Sequence, residues 1–304
     1  MTDRIIDISG QPVFLNVTNR LLAIRNKEGK SQTLPLGDVA ALLISNNAAT
    51  MTHAVLDGIA SSGGIVVICD QKHMPSGMLL PMQGHYIQTE RFTAQAAASL
   101  PLKKRIWRQI VRDKIRNQAT VLKLTGGDDG GLLPLVSLVR SGDSSNIEAR
   151  AAKIYWRQLF KPVVDFKRDF DQDGINSWLN YGYAVLRAMT ARAICASGLH
   201  PTLGVNHHNR YNPFCLADDL MEPFRPVVDL AVCRLLSSYS AAAELDAVIK
   251  REIISAVLCR VVFNGESITI FNALAKMSAS LAFAFENNGR SIALPDDIFA
   301  GIQE

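Results

Sequence analysis

Apolar residues change their spacing along this chain, and the change divides it into two parts. Over residues 1–80 they come as short, partly β-branched runs interrupted by glycine, proline, asparagine and aspartate, which is the pattern of β-strands. The runs are Ile5–Ile8, Val13–Val17, Leu21–Ile24, Val39–Ile44 and Ile65–Cys69. The sequence therefore predicts a small β domain over residues 1–80.

Beyond residue 90 the apolar positions follow the period of an α-helix. Pro101 suits the first turn of a helix that ends before the glycine-rich segment 126–131. Further helices are predicted over 145–160, 176–197, 226–239, 241–263 and 267–285. The proline- and glycine-rich stretch 74–86 is typical of irregular chain, and we place a linker at 81–90. The predicted fold class is α+β, with the small β domain followed by a larger all-α domain over 91–304.

Composition narrows the class of protein. A hydrophobic content of 48% supports a large core, yet no run of eighteen apolar residues predicts a membrane span. The N-terminal residues carry acids where a signal peptide would be basic and then apolar. Five cysteines without a Cys-x-x-Cys pattern favour reduced thiols, so we expect a cytoplasmic protein.

The positive charge is concentrated in one predicted helix. The net charge of +4 is too small to indicate nucleic-acid binding, but residues 91–123 contain nine lysines and arginines and one acid, Asp113. Four of these cations recur every fourth residue and form one stripe: Lys104, Arg108, Arg112 and Arg116. The local pattern alone favours a solvated face, and the alternative is a track for DNA phosphates. Trp107, Ile110 and Val111 would anchor the opposite side of this helix.

Two carboxylates and an imidazole, from three separate segments, are the candidate chemistry: Glu148, His207 and Glu222. Oxygen and imidazole donors suit Mn²⁺ or Mg²⁺ better than a thiolate site does, and no cysteine beside them suggests zinc. The spacing alone does not show that the three meet.

Each candidate also has a structural interpretation. Ser145 and Glu148 fit a capping box at a helix start, and His207 lies in a polar loop beside His208. The acidic pair Asp219 and Glu222 could be a solvated helix face, although Pro223 would bend or end that helix. The neighbouring Asp218 is expected to face solvent or to pair with Arg225. His85 and Tyr86 could stack on a DNA end, but burial under the linker is the favoured interpretation.

Three motifs in this order resemble the CRISPR-associated spacer-acquisition integrase family. They are Glu-Ala-Arg-Ala-Ala-Lys-Ile-Tyr-Trp from Glu148, Asn-His-His around His207, and Asp-Leu-Met-Glu-Pro-Phe-Arg-Pro from Asp219. The glutamate at position 222, where an aspartate is common, resembles the branch found beside single-protein RNA-guided effectors. The resemblance covers most of the chain.

The resemblance implies a metal-dependent DNA integrase/endonuclease of CRISPR adaptation, which joins 3′-hydroxyl ends of captured DNA to the CRISPR repeat by transesterification. Glu148, His207 and Glu222 would hold Mg²⁺ or Mn²⁺, with Asp219 as an assisting carboxylate of smaller effect. It also implies a homodimer formed through the β domain, a small ferredoxin-like partner protein, and double-stranded DNA on the basic stripe.

Two alternatives remain open at this point. The first is a stand-alone metal-dependent nuclease that cuts branched DNA with the same residues. The second is a non-catalytic helical DNA-binding scaffold in which Glu148 only caps its helix.

Overall fold

The computed structural model describes residues 4–70, 75–81, 84–164 and 166–301. Its first part contains one helix, α1 (His53–Ser61), and two four-stranded sheets. The strands are β1 (Arg4–Ile8), β2 (Val13–Thr18), β3 (Leu21–Asn26), β4 (Ser31–Pro35), β5 (Val39–Ile44), β6 (Thr50–Met51), β7 (Ile65–Cys69) and β8 (Pro75–Leu79). All five predicted strands are present.

The two sheets have different orders. One runs β1-β5-β7-β8, in which β1, β5 and β7 are parallel and β8 is antiparallel to β7. The other runs β4-β3-β2-β6. Strand β8 lies inside the stretch predicted to be irregular, so that prediction is wrong for Pro75–Leu79. A strand that starts at proline is compatible with an edge position, where fewer backbone donors are needed.

Strand β5 explains how the β part joins the rest of the chain. Leu42 and Ile44 pack with Leu15 and Leu22 of the second sheet, whereas Ala41 and Leu43 belong to the core of the helical part. Because successive side chains point to opposite faces, one strand serves both cores. Burial on both faces accounts for its uninterrupted apolar sequence.

The second part is mainly helical. Its helices are α2 (Gln88–Ala97), α3 (Leu100–Gly126), α4 (Leu133–Leu138), α5 (Ile147–Leu159), α6 (Ile175–Ala196), α7 (Cys215–Met221), α8 (Arg225–Leu235), α9 (Ala247–Val257) and α10 (Ile270–Glu286). Helix α2 begins within the predicted linker. Helix α3 packs against α5 and α8, and α6 is buried among α7, α8, α9 and α10. The α+β prediction is confirmed.

The predicted helix over 241–263 is only partly correct. Helix α9 ends at Val257, and the chain continues as an antiparallel hairpin of β9 (Arg260–Phe263) and β10 (Glu266–Thr269). Asn264 and Gly265 form its turn, both with positive φ. An Asn-Gly pair is a strong hairpin signal, and here it outweighs the helical pattern of the preceding residues.

None of the helices in the described ranges is long and apolar enough to cross a membrane.

Candidate active site

The acidic pair lies where one helix changes into another. Helix α7 ends at Met221, residues Glu222–Phe224 form a 3₁₀ turn, and α8 begins at Arg225. Pro223 has no backbone donor, which agrees with a helix that ends there. Its carbonyl accepts a hydrogen bond from Asn117 Nδ2 at 2.9 Å, which ties the turn to α3. Asp219 and Glu222 are both buried, so the solvated-face interpretation is wrong.

Asp219 is committed to the loop that carries His207. Its Oδ2 accepts hydrogen bonds from the backbone N–H groups of Val205 (2.6 Å) and Asn206 (2.9 Å). Its Oδ1 accepts one from the His207 N–H at 3.2 Å and lies 2.6 Å from His207 Nδ1. Gly204 is needed here, because a Cβ would come within 2.4 Å of the His207 carbonyl oxygen. One carboxylate therefore fixes this loop.

His207 is half-buried and its ring is held on two sides. The ring packs edge-to-face on Trp107 with centroids 5.6 Å apart, and Nδ1 faces Asp219. The hydrogen bond with Asp219 raises the pKa of His207 against the effect of burial, and the charges of Asp219 and Glu222 add to the rise. With Nδ1 engaged, Nε2 is the nitrogen left for a ligand. His208 is exposed.

The start of α5 is capped by a residue that the sequence analysis missed. Asp143 Oδ1 accepts from the Ile147 N–H at 3.0 Å, and Oδ2 accepts from the Glu148 N–H at 2.9 Å. Ser145 is exposed, and Asn146, in the cap position, makes no side-chain cap bond. The Ser145–Glu148 capping box is thus wrong. Because Asp143 satisfies the donors, the Glu148 carboxylate is available for another role.

Glu148 and Glu222 converge on one cation, Lys114 of α3. Lys114 Nζ lies 2.6 Å from Glu148 Oε1 and 2.6 Å from Glu222 Oε2. Arg225 Nη1 lies 3.2 Å from the other oxygen of Glu222. The two carboxylates, which come from elements far apart in sequence, are thereby brought together.

Opposite effects act on the pKa values of this cluster. Burial by itself raises the pKa of Glu222, but Arg225 and Lys114 outweigh it, so that pKa lies below its ordinary value. Burial lowers the pKa of Lys114, but Glu222 and Glu148 outweigh it, so that pKa is raised. Both groups are therefore charged at neutral pH.

The donor set fits a hard divalent ion. Glu222 Oε2 is buried and receives no hydrogen bond of good geometry, although it is in ion-pair contact with Lys114. Carboxylate oxygens with an imidazole nitrogen are the ligands such ions accept. Within the described ranges, however, no three histidine, cysteine or acidic side chains close to ligand distances of each other. The assignment of Glu148, His207 and Glu222 as ligands stays a prediction.

The basic stripe lies along α3. Lys104 and Arg116 are exposed, whereas Arg108 and Arg112 are half-buried. Arg112 Nη2 donates to the Val139 carbonyl at 3.1 Å. Burial, and then the charges of Arg108 and Arg116, lower the pKa of Arg112. Arg112 is thus partly committed to the fold. The anchoring residues Trp107, Ile110 and Val111 are buried, as predicted.

Sequence reasoning missed Lys114 and Arg225 and misplaced Asp218. A lysine within the apolar stripe of α3, one helical turn from Ile110, was the available signal for Lys114. Asp218 is buried rather than solvent-facing, and it binds Arg187 Nε at 2.6 Å and Asn212 Nδ2 at 2.7 Å instead of Arg225.

His85 and Tyr86 stack on each other with ring centroids 4.7 Å apart. Tyr86 is 91% exposed, so the favoured interpretation of a buried aromatic is wrong for this residue. A role in DNA stacking stays a prediction.

The helical part thus brings Glu148 and Glu222 onto one lysine of the helix that also carries the basic stripe. The sequence profile described as "CRISPR associated protein Cas1" matches residues 6–245, and the chain belongs to this family. It is an endonuclease/integrase of CRISPR adaptation. The family, the function and the enzyme class predicted from the sequence are thereby confirmed.

Three similar proteins illustrate the match. The CRISPR-associated endonuclease Cas1 of Neisseria meningitidis serogroup C (strain 8013) is 38% identical over 285 residues, which cover 93% of this chain and 92% of that protein. The structure of a casposase bound to integration product matches with a TM-score of 0.80 at 22% identity, and the match covers 94% of this chain and 91% of the casposase chain. A chain of a Cas6-RT-Cas1–Cas2 complex has a TM-score of 0.74 at 18% identity, with coverage of 95% and 35%. The two structures show likeness of fold.

Proposed function

We propose that Glu148, His207 and Glu222 hold Mg²⁺ or Mn²⁺ and that this site joins the 3′-hydroxyl ends of captured DNA to the CRISPR repeat. The convergence of Glu148 and Glu222 on a single cation carries the proposal. A divalent ion bound there would stabilise the negative charge that develops on the phosphodiester and its leaving oxygen.

In this reaction the 3′-oxygen forms a new bond to phosphorus while the repeat strand's P–O3′ bond breaks. The attacking hydroxyl loses its proton and the departing oxygen gains one. Because one ester bond forms and one breaks, the number of phosphodiesters is unchanged. Asp219 keeps His207 Nδ1 engaged and so holds the ring in one orientation. Lys114 and Arg225 add positive charge where the phosphate must bind.

The proposed partners are double-stranded DNA, a second copy of this chain bound through the β part, and a small ferredoxin-like protein. Support for DNA and for a partner protein comes from the casposase bound to an integration product and from the Cas1–Cas2 complex among similar structures. The basic stripe of α3 would contact the DNA backbone. A cytoplasmic location agrees with the five free cysteines.

The test compares Glu148→Gln, His207→Ala and Glu222→Gln in a strand-transfer assay with Mn²⁺. We choose glutamine because it keeps the volume of the glutamate side chain, and Glu266→Gln, on an exposed ion pair, is the matched control. Each site variant should abolish joining and retain DNA binding. Near-normal joining by any of the three would remove that residue from the ligand set.

Two further measurements separate the alternatives. Excess chelator should stop the reaction, and Mg²⁺ or Mn²⁺, without zinc, should restore it. Products that are cut and never joined would favour the stand-alone nuclease. Unchanged DNA products in all three variants would mean that none of the three residues takes part in the reaction. The scaffold alternative assigned Glu148 to the cap of α5, where Asp143 accepts from the Glu148 N–H instead.

A further inference from the structure

Lys114 is an unusual residue for the centre of a helix-packing face. It follows Ile110 and Val111 and precedes Ile115 on the buried side of α3, and only 8% of its surface is exposed. Lysine is seldom buried unless it is paired, and here both partners are carboxylates of the proposed metal site. The chain therefore supplies its own cation to that site.

The cation has an electrostatic reason to be there. The oxygens of Glu148 and Glu222 that contact Lys114 each lie 2.6 Å from Nζ, so they are close to each other in a largely buried place. Without a cation the two negative charges would repel. Arg225 contacts Glu222 through its other oxygen, which leaves Lys114 as the cation between the two acids.

Lys114 and a divalent ion would compete for the same carboxylate oxygens. A divalent ion held by Glu148 and Glu222 would take its oxygen ligands from the two carboxylates that contact Nζ. It would then occupy the space that Nζ holds, and both cations would use the same oxygens. A divalent ion can take this position only after the ammonium leaves it, and the ammonium then needs another anion. A DNA phosphate delivered to the site is such an anion.

We infer that Lys114 is a counter-ion built into the protein, which holds Glu148 and Glu222 together when no metal is bound. When a divalent ion binds, the Lys114 ammonium leaves the two acids and pairs with a DNA phosphate instead. The inference rests on the proposed metal site and adds a consequence to it. Binding of the metal and of DNA becomes cooperative, because each removes a cost that the other would meet alone. Lys114 acts as a positioning residue in the metal-free state.

The experiment measures Mn²⁺ affinity from the electron paramagnetic resonance signal of free Mn²⁺, with and without duplex DNA. Lys114→Met keeps a long unbranched side chain, one atom shorter than lysine, and removes its charge. Lys123→Met, on the exposed side of the last turn of α3, is the matched control. DNA should tighten Mn²⁺ binding about tenfold in the wild type and in the control. Lys114→Met should bind Mn²⁺ about tenfold more tightly without DNA, and DNA should add little.

Thermal unfolding gives a second readout that does not depend on activity. Without metal, Lys114→Met should melt well below the wild type, and Mn²⁺ should raise its Tm more than it raises that of the wild type. Lys114→Gln should behave in the same way. If neither variant folds even with Mn²⁺, the ion cannot replace the ammonium and the inference is overturned.

The remaining outcomes are also decisive. Equal Mn²⁺ affinity in Lys114→Met and the wild type, with DNA coupling intact in both, would overturn the exchange and leave the metal site standing. Absence of Mn²⁺ binding in every protein, with and without DNA, would overturn the metal site itself and this inference with it.

Discussion

The two sides of α3 carry the same kind of charge in opposite settings. On the buried side, Lys114 is matched by Glu148 and Glu222 at 2.6 Å. On the other side, Lys104 and Arg116 are exposed, and the acid nearest to Arg116 is 3.8 Å away. One helix thus carries a buried cation that is paired closely with two acids and exposed cations that include Arg116, whose contact with Asp113 is longer.

The difference indicates that burial, rather than the presence of a positive charge, decides whether a cation of α3 supports the fold or can contact DNA. Removing one partner of a buried ion pair strongly destabilises a protein, because the remaining charge stays desolvated. Exposed cations contribute little to stability and remain free to meet a phosphate. The following changes test the contrast, from the largest expected effect to the smallest.

The strongest change is removal of the buried acid. Glu222→Ala leaves Lys114 and Arg225 without their shared partner, and it should lower the free energy of unfolding by about 3–5 kcal/mol. Glu266→Ala breaks the exposed pair with Lys276 and should change it by less than about 1 kcal/mol. Urea unfolding in chelator measures both. Equal effects would mean that Lys114 is not desolvated in solution.

Asp229, a buried carboxylate of α8, tests what happens when hydroxyls replace cations as the direct contacts. Tyr155 donates to its Oδ2 at 2.8 Å and Tyr183 donates to Oδ1. Burial raises the pKa of Asp229 to about 6, although both hydrogen bonds and Arg225 oppose the rise. Folding therefore favours the protonated form, whose contribution is present below about pH 4 and is lost as the pH rises through about 6.

Asp229→Asn should remove this loss. Between pH 4 and pH 7 the variant should gain about 3 kcal/mol relative to the wild type, as a shift of about two pKa units implies. Asp171→Asn, at an exposed position, is the control and should follow the wild-type profile. Unfolding by urea across this pH range gives the comparison. Parallel profiles for wild type and Asp229→Asn would mean that Asp229 keeps an ordinary pKa.

The cap of α5 tests whether Asp143, rather than Ser145 with Glu148, stabilises the start of this helix. Asp143→Ala removes both cap hydrogen bonds and should lower the free energy of unfolding by about 1–2 kcal/mol. Ser145→Ala should leave it unchanged, because Ser145 makes no cap bond. Thermal unfolding of the two variants decides between them. A larger loss in Ser145→Ala would restore the capping box and return Glu148 to a structural role.

The smallest change in stability is expected on the exposed side. Lys104→Ala with Arg116→Ala, the two exposed members of the stripe, should change stability by no more than about 0.5 kcal/mol. The slope of log affinity against log salt on duplex DNA should nevertheless fall by roughly 2, equally for all sequences. This pair is sharper than one that includes Arg112, whose bond to Val139 mixes structure with binding.

An unchanged slope in the double variant would mean that the stripe only solvates the helix. The DNA track would then move to the exposed cations of α5, which are Arg150, Lys153 and Arg157.

Local patterns predicted the elements well where one period dominates over many residues. The long apolar repeat of α3 and the β-branched runs of β5 and β7 are examples. They failed where two signals compete, as at the Asn264–Gly265 turn, and at β8, whose proline and glycine are typical of irregular chain although the segment pairs with β7. Pairing of that kind is decided by contacts that a local pattern does not contain.

The sequence by itself determined the α+β class, the family, the identity of Glu148, His207, Glu222 and Asp219 as candidates, and the basic stripe. These depend on residue types and periods that are local to each segment. The tertiary structure alone decided that Asp219 holds the loop while Glu222 meets cations, although they are three residues apart. It also placed Lys114 between two acids from distant segments. The sequence could not show this, because a charged side chain loses its water only when elements far apart in the chain pack around it.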